Sequence, residues 1–297
     1  MGDILPVRNL VTYCQIMRIN QPNGLFLLLW PTLWALWLSG MSVPPLKVLF
    51  LFTFGVFCMR SAGCVINDII DRDIDVYIQR TQNRPLPCQK ISVQKAKLLH
   101  LSLLLISCLI VLTMSIKTIL FSILGLVLTW VYPFMKRYIY FPQIFLGISF
   151  SLSIPMVWSE ISHKLPISCW LLFFGNFFWV VAYDTQYAMV DRSDDLKIGI
   201  KSTAILFNNY DRRIIAFLQL LSLIFLTLVG WKLALHPIFY FAILGASILF
   251  VYQQFLIADR QEDRCFKAFS KNNWVGLIIF LGIALSTSSY FRSDFCI

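Results

Sequence analysis

The sequence predicts an all-α integral membrane protein, in which a bundle of nine transmembrane helices is capped by two aspartate-rich loops. Composition is the first of three supporting observations: 58% of the residues are hydrophobic and 13% are charged, whereas soluble domains are about 45–50% apolar and about 25% charged. Second, the apolar residues fall in runs of roughly the 20 residues that cross a bilayer as a helix. Third, the basic residues lie in the short loops between these runs.

Nine apolar runs predict the nine helices in chain order. They cover approximately residues 24–40, 46–66, 97–115, 118–135, 141–158, 166–187, 212–233, 236–258 and 273–290. We expect one membrane domain over residues 1–297, because no segment of soluble composition interrupts the runs. Asp71 and Asp75 recur as Asp191 and Asp195 at a constant offset, four helices later. This spacing indicates a weak internal repeat of helices 1–4 and 5–8, followed by a ninth helix.

The distribution of basic residues predicts the orientation in the membrane. With the N-terminus in the cytoplasm, nineteen Lys and Arg residues lie inside and five outside, as the positive-inside rule requires. The five are Lys47, Lys117, Lys164, Lys232 and Arg292. Both aspartate-rich loops are then cytoplasmic, and an odd number of helices places the C-terminus in the periplasm. The first twenty residues contain no cleavable signal or transit peptide, so we expect the bacterial inner membrane.

The net charge of +10 does not indicate nucleic-acid binding. Its basic residues are spread over short loops rather than gathered on one soluble face. We therefore expect the lipid bilayer, and no nucleic acid, among the partners of the protein.

The first aspartate-rich loop contains oxygen donors at helical spacing. Asn67, Asp71 and Asp75 recur every four residues, so they share one face if the second helix continues beyond the membrane surface. Oxygen ligands suit a hard divalent cation, and Mg²⁺ characteristically joins one or two carboxylates to substrate phosphates. Asp68 lies off this face and could serve as an outer ligand. The alternative is a solvated acidic loop that caps a helix.

Basic residues accompany this loop. Arg72, Arg80 and Arg84 could close over a diphosphate, because the guanidinium group matches phosphate geometry with paired donors. Arg60 lies two turns inside the second helix, where a charge must face the interior of the bundle or a watery cavity. It needs an anionic partner, either a carboxylate such as Asp184 or a substrate anion.

A helix end between the two loops carries a tyrosine and two cations. Tyr132 and Lys136 are four residues apart, so both can face the cavity of the aspartates, and Arg137 follows directly. The alternative is that these charges only anchor the helix end at the membrane surface.

The second aspartate-rich loop repeats the pattern of the first. Asp184, Tyr187, Asp191 and Asp195 are separated by three, four and four residues, which places them on one helical face, and Asp194 is a further candidate ligand. Two facing carboxylate clusters would repel each other. Two Mg²⁺ ions and a diphosphate would reconcile them and would stabilise charge on the departing oxygen.

These residues resemble the UbiA superfamily of intramembrane aromatic prenyltransferases over essentially the whole chain. The superfamily pattern, N-D-x-x-D-x-x-x-D and a second aspartate loop, is matched by residues 67–75 and 191–195. Three longer stretches, at residues 80–87, 132–137 and 184–205, look like the bacterial members that act on 4-hydroxybenzoate. Ser193 departs from those members, which usually carry an acidic residue there. We expect this change to be tolerated, because position 193 falls off the common face.

The resemblance implies a cytoplasmic cap over a central cavity that opens sideways to lipid. It also implies Mg²⁺-dependent transfer of a long all-trans polyprenyl group from polyprenyl diphosphate to carbon 3 of 4-hydroxybenzoate, in ubiquinone biosynthesis. By motif position the metal ligands would be Asn67, Asp71, Asp75, Asp191 and Asp195. Arg60, Tyr132 and Lys136 match family positions near the diphosphate and the reacting carbon.

A mechanism follows from this resemblance as a hypothesis. Lys136, Arg137 and Lys201, together with Mg²⁺, would bind the diphosphate and promote its departure, and the ring carbon ortho to the phenol oxygen would attack the allylic cation. Arg72 or Arg137 would hold the carboxylate of the acceptor.

Two alternatives remain open on the sequence. One is a member of the same superfamily with a naphthoate, homogentisate or haem acceptor. The other is a cation transporter whose acidic loops are Mg²⁺ gates. Transporter carboxylates usually lie near the bilayer midplane, whereas these cluster at the cytoplasmic mouth.

Overall fold

The computed structural model describes residues 4–288, with side chains from Leu10 onward. This part of the chain is helical and contains no strand. Its α-helices are α1 Ile4–Ile16, α2 Asn23–Gly40, α3 Leu46–Asp75, α4 Val93–Val111, α5 Ile116–Tyr138, α6 Pro142–Ser151, α7 Ser153–Ile161, α8 Ile167–Val190, α9 Arg192–Ile198, α10 Thr203–Phe207, α11 Asp211–Lys232, α12 Ile238–Leu256 and α13 Glu262–Ser286. The expected periplasmic C-terminus, with Arg292, lies outside the described residues.

Eight helical stretches of residues 4–288 are long and apolar enough to cross a membrane, one fewer than the nine predicted. They are α3, α4, α5, α6 with α7, α8, α10 with α11, α12 and α13. The remaining run, residues 24–40, forms the continuous helix α2, which contains Pro31 and has seven buried residues. The prediction of a multi-pass all-α membrane protein is thus confirmed, and the number nine is not.

The predicted helix at 141–158 is divided into α6 and α7, which meet at Leu152. Pro155 lies four residues after Ser151 and has no N–H to donate to the carbonyl of Ser151, so the regular hydrogen-bond pattern is broken there. Helix α3 shows the opposite difference. It continues nine residues past the apolar run 46–66 and ends at Asp75, as the spacing of the aspartates predicts.

Aromatic packing joins α2, α8 and α13 at the centre of the bundle. The rings of Trp34 and Trp179 stack with their centroids 5.2 Å apart, and both side chains are almost completely buried. Trp34 Nε1 donates to the carbonyl of Gly276 over 3.1 Å. This packing fixes α8, which carries half of the candidate site, against the two helices beside it.

A network of buried amides links α8, α11, α12 and α13 one layer below the cap. Gln253 Oε1 accepts hydrogen bonds from Gln186 Nε2 over 3.0 Å and Gln219 Nε2 over 2.8 Å. Asn272 donates to Gln186 Oε1 over 3.0 Å and accepts from Trp179 Nε1 over 2.8 Å. Because amides in an apolar interior are costly when unpaired, this network specifies how the four helices pack.

Replacement of Gln253 by Leu should destabilise the protein by about 1–3 kcal/mol, because it leaves the amide donors of Gln186 and Gln219 without their acceptor in the interior. Unfolding of the purified protein by sodium dodecyl sulphate in mixed micelles measures this change. Gln254→Leu is the matched control, since half-buried Gln254 donates one hydrogen bond, to Gln219, and should cost less than about 1 kcal/mol. Equal stability of Gln253→Leu and the unsubstituted protein would contradict the prediction.

Candidate active site

A cavity of about 1060 Å³ is lined by residues of α2–α8 and α13, beneath the two aspartate-rich segments that follow α3 and α8. The end of the cavity next to these segments is polar, and leucine, methionine, phenylalanine and glycine residues line much of the rest. The predicted site residues on its wall are Arg60, Asn67, Asp71, Asp75, Arg80, Arg84, Tyr132, Lys136, Asp184, Tyr187, Asp191, Asp195 and Lys201. Asp68, Arg72, Arg137 and Asp194 are outside the wall.

The carboxylates of α3 are buried at the polar end of this cavity. Asp71 is 0% and Asp75 3% exposed. Lys136 Nζ, from the end of α5, donates to Asp71 Oδ2, and Arg84 Nη1 donates to Asp75 Oδ2 over 2.7 Å. Asp71 Oδ1 is buried and has no hydrogen-bond partner among residues 4–288. It is therefore free to bind a positively charged ligand in the cavity.

Asp68 is also buried, but it holds arginines in place instead of lining the cavity. Its Oδ1 accepts from Arg18 Nη2 over 2.5 Å and from Arg84 Nη1 over 3.3 Å. Arg18 reaches the cavity wall from the segment before α2. From the sequence, Arg18 was predicted only to be one of the nineteen cytoplasmic charges, and its one distinguishing signal was its position shortly before the first apolar run.

Ion pairs and hydrogen bonds join the two aspartate-rich segments into a cap. Arg80 donates from Nε and Nη2 to the two oxygens of Asp191, over 2.9 and 2.5 Å, and its guanidinium lies 4.6 Å from the centre of the Tyr187 ring. The backbone N–H of Gln79 donates to Asp194 Oδ2 over 3.1 Å. The connection after α3 is thereby tied to the connection after α8.

The last two aspartates of the second segment differ in environment. Burial and, secondarily, the neighbouring charge of Asp191 raise the pKa of Asp195 to about 7. Asp194 points away from the cavity, where the N–H of Gln79 and the ammonium of Lys197 lower the pKa of its carboxyl group. Lys136 and Arg80 partly offset these effects, and a cation in the cavity would stabilise the ionised carboxylate further.

Three contacts fasten the second segment to the rest of the bundle. Arg192 donates to Asp211 Oδ2 over 2.7 Å, and Arg260 donates to both oxygens of the same carboxylate over 2.9 Å. Ser193 Oγ donates to Glu262 Oε1 over 3.1 Å at the start of α13. Ser193 is exposed and away from the cavity, as its position off the common face predicts.

Arg72 and Arg137 lie outside the cavity, although the sequence predicted that they bind substrate. The side chain of Arg72 is exposed and pairs with Asp73 over 3.1 Å, and Arg137 donates to the carbonyl of Ile70 over 2.8 Å at the surface. Both follow cavity residues directly along a helix, so their side chains point about 100° away from it. A carboxylate bound in the cavity would not meet either guanidinium.

Arg60 is the cavity arginine that forms none of the ion pairs found among residues 4–288. It lies close enough to buried Asp184 for their charges to interact. The guanidinium passes so near Gly24 on α2 that a Cβ atom there would collide with it. The absence of a side chain at position 24 is therefore what admits Arg60 to this place.

The carboxylates fit a hard divalent cation that is shared with a phosphate ligand. No three His, Cys, Asp or Glu side chains of residues 4–288 form a metal site by themselves, and Lys136, Arg84 and Arg80 pair with three of the aspartates. The donors are nevertheless all oxygens, on opposite walls of one cavity, and Asp71 Oδ1 is unpartnered. Mg²⁺ usually takes only one or two carboxylates and completes its ligands with water and phosphate.

Two curated relatives of this chain carry the same name. The 4-hydroxybenzoate octaprenyltransferase of Sodalis glossinidius is 56% identical over 278 residues, which are 94% of this chain and 96% of that protein. The protein of the same name from Yersinia enterocolitica is 54% identical over 274 residues, 92% of this chain and 95% of that protein.

Solved structures share the fold. A UbiA homolog from Aeropyrum pernix K1 superposes with a TM-score of 0.78 at 23% identity, over 89% of this chain and 98% of the other. A UbiA homolog from Archaeoglobus fulgidus, solved bound to GPP and Mg²⁺, gives 0.67 at 18% identity, over 92% and 99%. The profile of the UbiA prenyltransferase family matches residues 28–284. On this match over most of its length, and on the two sequence relatives, the chain belongs to the UbiA prenyltransferase family.

Proposed function

We propose that this protein transfers a long all-trans polyprenyl group from polyprenyl diphosphate to carbon 3 of 4-hydroxybenzoate, with release of diphosphate, in ubiquinone biosynthesis. The observation that carries the proposal is the cavity itself. It is ionic under the cap and apolar along the rest of its length, as an amphipathic donor of this kind requires. The names of the relatives, at 52–56% identity, support the same acceptor.

Two Mg²⁺ ions are part of the proposal. They would be held by Asn67, Asp71, Asp75, Asp191 and Asp195, with Asp68 and Asp194 behind them. When bound, Mg²⁺ supplies positive charge that stabilises the negative charge of the departing diphosphate. The homolog solved with GPP and Mg²⁺ supports this use of the fold.

The basic residues of the cavity bind the diphosphate and stabilise the negative charge that develops on it. Lys136 approaches from α5, Lys201 from the second segment, and Arg80 and Arg84 from the cap. As the allylic C1–O bond breaks, its electron pair remains on the diphosphate oxygen, and these cations stabilise the charge that develops there. The apolar wall and the cap exclude water from the allylic cation. Carbon 3 of the ring then forms the new C–C bond and loses its proton.

Arg60 is the residue that we assign to the carboxylate of the acceptor, in place of Arg72 and Arg137. It lies about 10 Å from Asn67 along α3, two helical turns below the polar end of the cavity. Tyr132, Asp184 and Tyr187 line the cavity with it, and they can position the ring and its phenol group. A planar guanidinium with paired donors is suited to a planar carboxylate.

The orientation and location form part of the same proposal. Nineteen basic residues on one side support a cytoplasmic N-terminus and cytoplasmic loops, and the bacterial relatives support an inner-membrane location. One domain over residues 1–297, with a weak repeat of two four-helix units, is consistent with the offset between the two aspartate segments.

Mass-spectrometric product analysis tests this function directly. The purified protein in lipid nanodiscs should form 3-polyprenyl-4-hydroxybenzoate from 4-hydroxybenzoate and polyprenyl diphosphate in the presence of Mg²⁺, and chelation with EDTA should stop the reaction. Dihydroxynaphthoate, homogentisate and haem are tested as acceptors in parallel. If the protein prefers one of these acceptors, that compound replaces 4-hydroxybenzoate in the proposed function. Donor-independent uptake of Mg²⁺ into vesicles, without any prenylated product, would favour a transporter.

A further inference from the structure

One face of α3 lines the cavity along most of the length of the helix. Its residues recur every four positions: Leu51, Gly55, Met59, Gly63, Asn67, Asp71 and Asp75. Sixteen residues separate Leu51 from Asn67, which corresponds to about 24 Å at 1.5 Å per residue. The polar end of this row and its apolar end are thus parts of one continuous channel wall.

Two glycines of this row leave space in the channel. A Cβ atom added at Gly55 would meet no atom within 4 Å, and one added at Gly63 would meet only Thr129 Cγ2, at 3.5 Å. At Gly230 and Gly276, by contrast, an added Cβ would collide with an aromatic side chain of a neighbouring helix. Helix packing therefore explains the latter two glycines but not Gly55 and Gly63, although glycine destabilises a helix interior by about 1 kcal/mol relative to alanine.

The same row also points to the ligand that occupies this space. Asp71, at its cytoplasmic end, has a buried carboxylate oxygen without a partner among residues 4–288. At the far end, the turn before α5 is fixed to α7, because Glu160 Oε2 accepts from Ser115 N over 2.8 Å and from Thr118 Oγ1 over 3.2 Å. The channel thus has an ionic end and a fixed apolar end, which suits a molecule with an anionic head and a long hydrocarbon chain.

We propose that α3 measures the prenyl chain, and that Gly63 and Gly55 admit the units beyond the first and beyond the fourth isoprene unit. Gly63 lies about 6 Å and Gly55 about 18 Å from Asn67 along the helix. Three backbone bonds span about 3.3–3.6 Å when extended, so the four chain bonds of an isoprene unit span about 4.5 Å. The inference rests on the proposed function and adds the residues that determine donor length.

Leucine at position 55 should change donor selectivity without loss of the reaction. Purified Gly55→Leu is assayed with 4-hydroxybenzoate, Mg²⁺ and either geranyl or all-trans octaprenyl diphosphate. We expect kcat/KM for the octaprenyl donor to fall at least about tenfold, because the added side chain occupies channel volume. The geranyl donor, with two units, should stay within about twofold of the unsubstituted protein. Gly63→Leu should reduce kcat/KM for both donors. Gly40→Leu, at an exposed position outside the channel, should change kcat/KM for neither donor.

The outcomes separate this inference from the proposed function. The proposed role of Gly55 in donor length is overturned if Gly55→Leu uses both donors as well as the unsubstituted protein does, or loses activity with both equally. A thermal unfolding scan of each variant identifies loss of activity through misfolding. Gly55→Ala, whose Cβ enters open space, should retain the octaprenyl donor, and its failure to do so also counts against the proposal. Absence of any prenylated 4-hydroxybenzoate from the unsubstituted protein would instead remove the proposed function.

Discussion

Replacement of Asp71 by Asn is expected to reduce turnover about a thousandfold, equivalent to about 4 kcal/mol of transition-state stabilisation, with the protein still folded in the membrane. Asn has the size of Asp and can still accept the hydrogen bond that Lys136 Nζ donates to Asp71 Oδ2. It cannot supply the negative charge of the unpartnered oxygen Oδ1, which is buried at the polar end of the cavity. The substitution thus removes one charge and almost no volume.

Asp73→Asn is the matched control for this prediction. The side chain of Asp73 is 81% exposed, pairs with Arg72 and lies outside the cavity, so its loss should leave turnover within about twofold. The measurement is the rate of product formation in nanodiscs as a function of Mg²⁺ concentration. Activity of Asp71→Asn within tenfold of the unsubstituted protein, with the same Mg²⁺ dependence, would exclude Asp71 as a ligand.

The fold could be predicted from the sequence because lipid imposes simple requirements on it. A run of about 20 apolar residues is sufficient evidence for a spanning helix, and the four-residue spacing of Asn67, Asp71 and Asp75 was sufficient to extend α3 to Asp75. The helix count was less predictable. Residues 24–40 form α2, which is less apolar than the eight spanning stretches of residues 4–288. Pro155 divides another predicted helix into α6 and α7, but the two parts together still make one spanning stretch.

The site could be predicted less completely, since spacing gives the face of a helix but not its partners. It correctly placed Asp71, Asp75, Asp191 and Asp195 on one cavity wall or the other. It did not reveal that the partners of these carboxylates are basic residues distant in sequence, as Arg80 is from Asp191. Such ion pairs arise from tertiary packing, which the spacing of residues along the chain does not reveal.

The choice of arginine for the acceptor shows the same limit. Charge and location along the chain favoured Arg72 and Arg137, which follow cavity residues directly. One step along a helix turns a side chain through about 100°, and both guanidinium groups are consequently held at the surface. Arg60 was recognised from its depth in an apolar helix, where a charge requires an anionic partner. Arg60 is accordingly found on the cavity wall, which is the position that our proposal for the acceptor carboxylate uses.

Arg60→Met is therefore expected to raise KM for 4-hydroxybenzoate about a hundredfold, corresponding to about 3 kcal/mol of charge-assisted hydrogen bonding. The polyprenyl diphosphate KM should change far less, because Lys136, Lys201 and Arg84 remain. Gly24→Ala should also raise KM for 4-hydroxybenzoate, since its Cβ would displace the guanidinium of Arg60 from its position against α2. Arg72→Met is the matched control and should leave both KM values unchanged.

A change of acceptor distinguishes a binding role of Arg60 from a structural role. Arg60 also compensates the nearby charge of Asp184, so its removal could weaken the site indirectly. The amide of 4-hydroxybenzoic acid has the same ring and phenol but no carboxylate charge. If Arg60 binds the carboxylate, the unsubstituted protein prefers the acid to the amide and Arg60→Met loses that preference. If the preference survives in Arg60→Met, the carboxylate is held elsewhere. The preference of Arg60→Lys for the acid should lie between those of the unsubstituted protein and Arg60→Met, since an ammonium keeps the charge but not the paired planar donors.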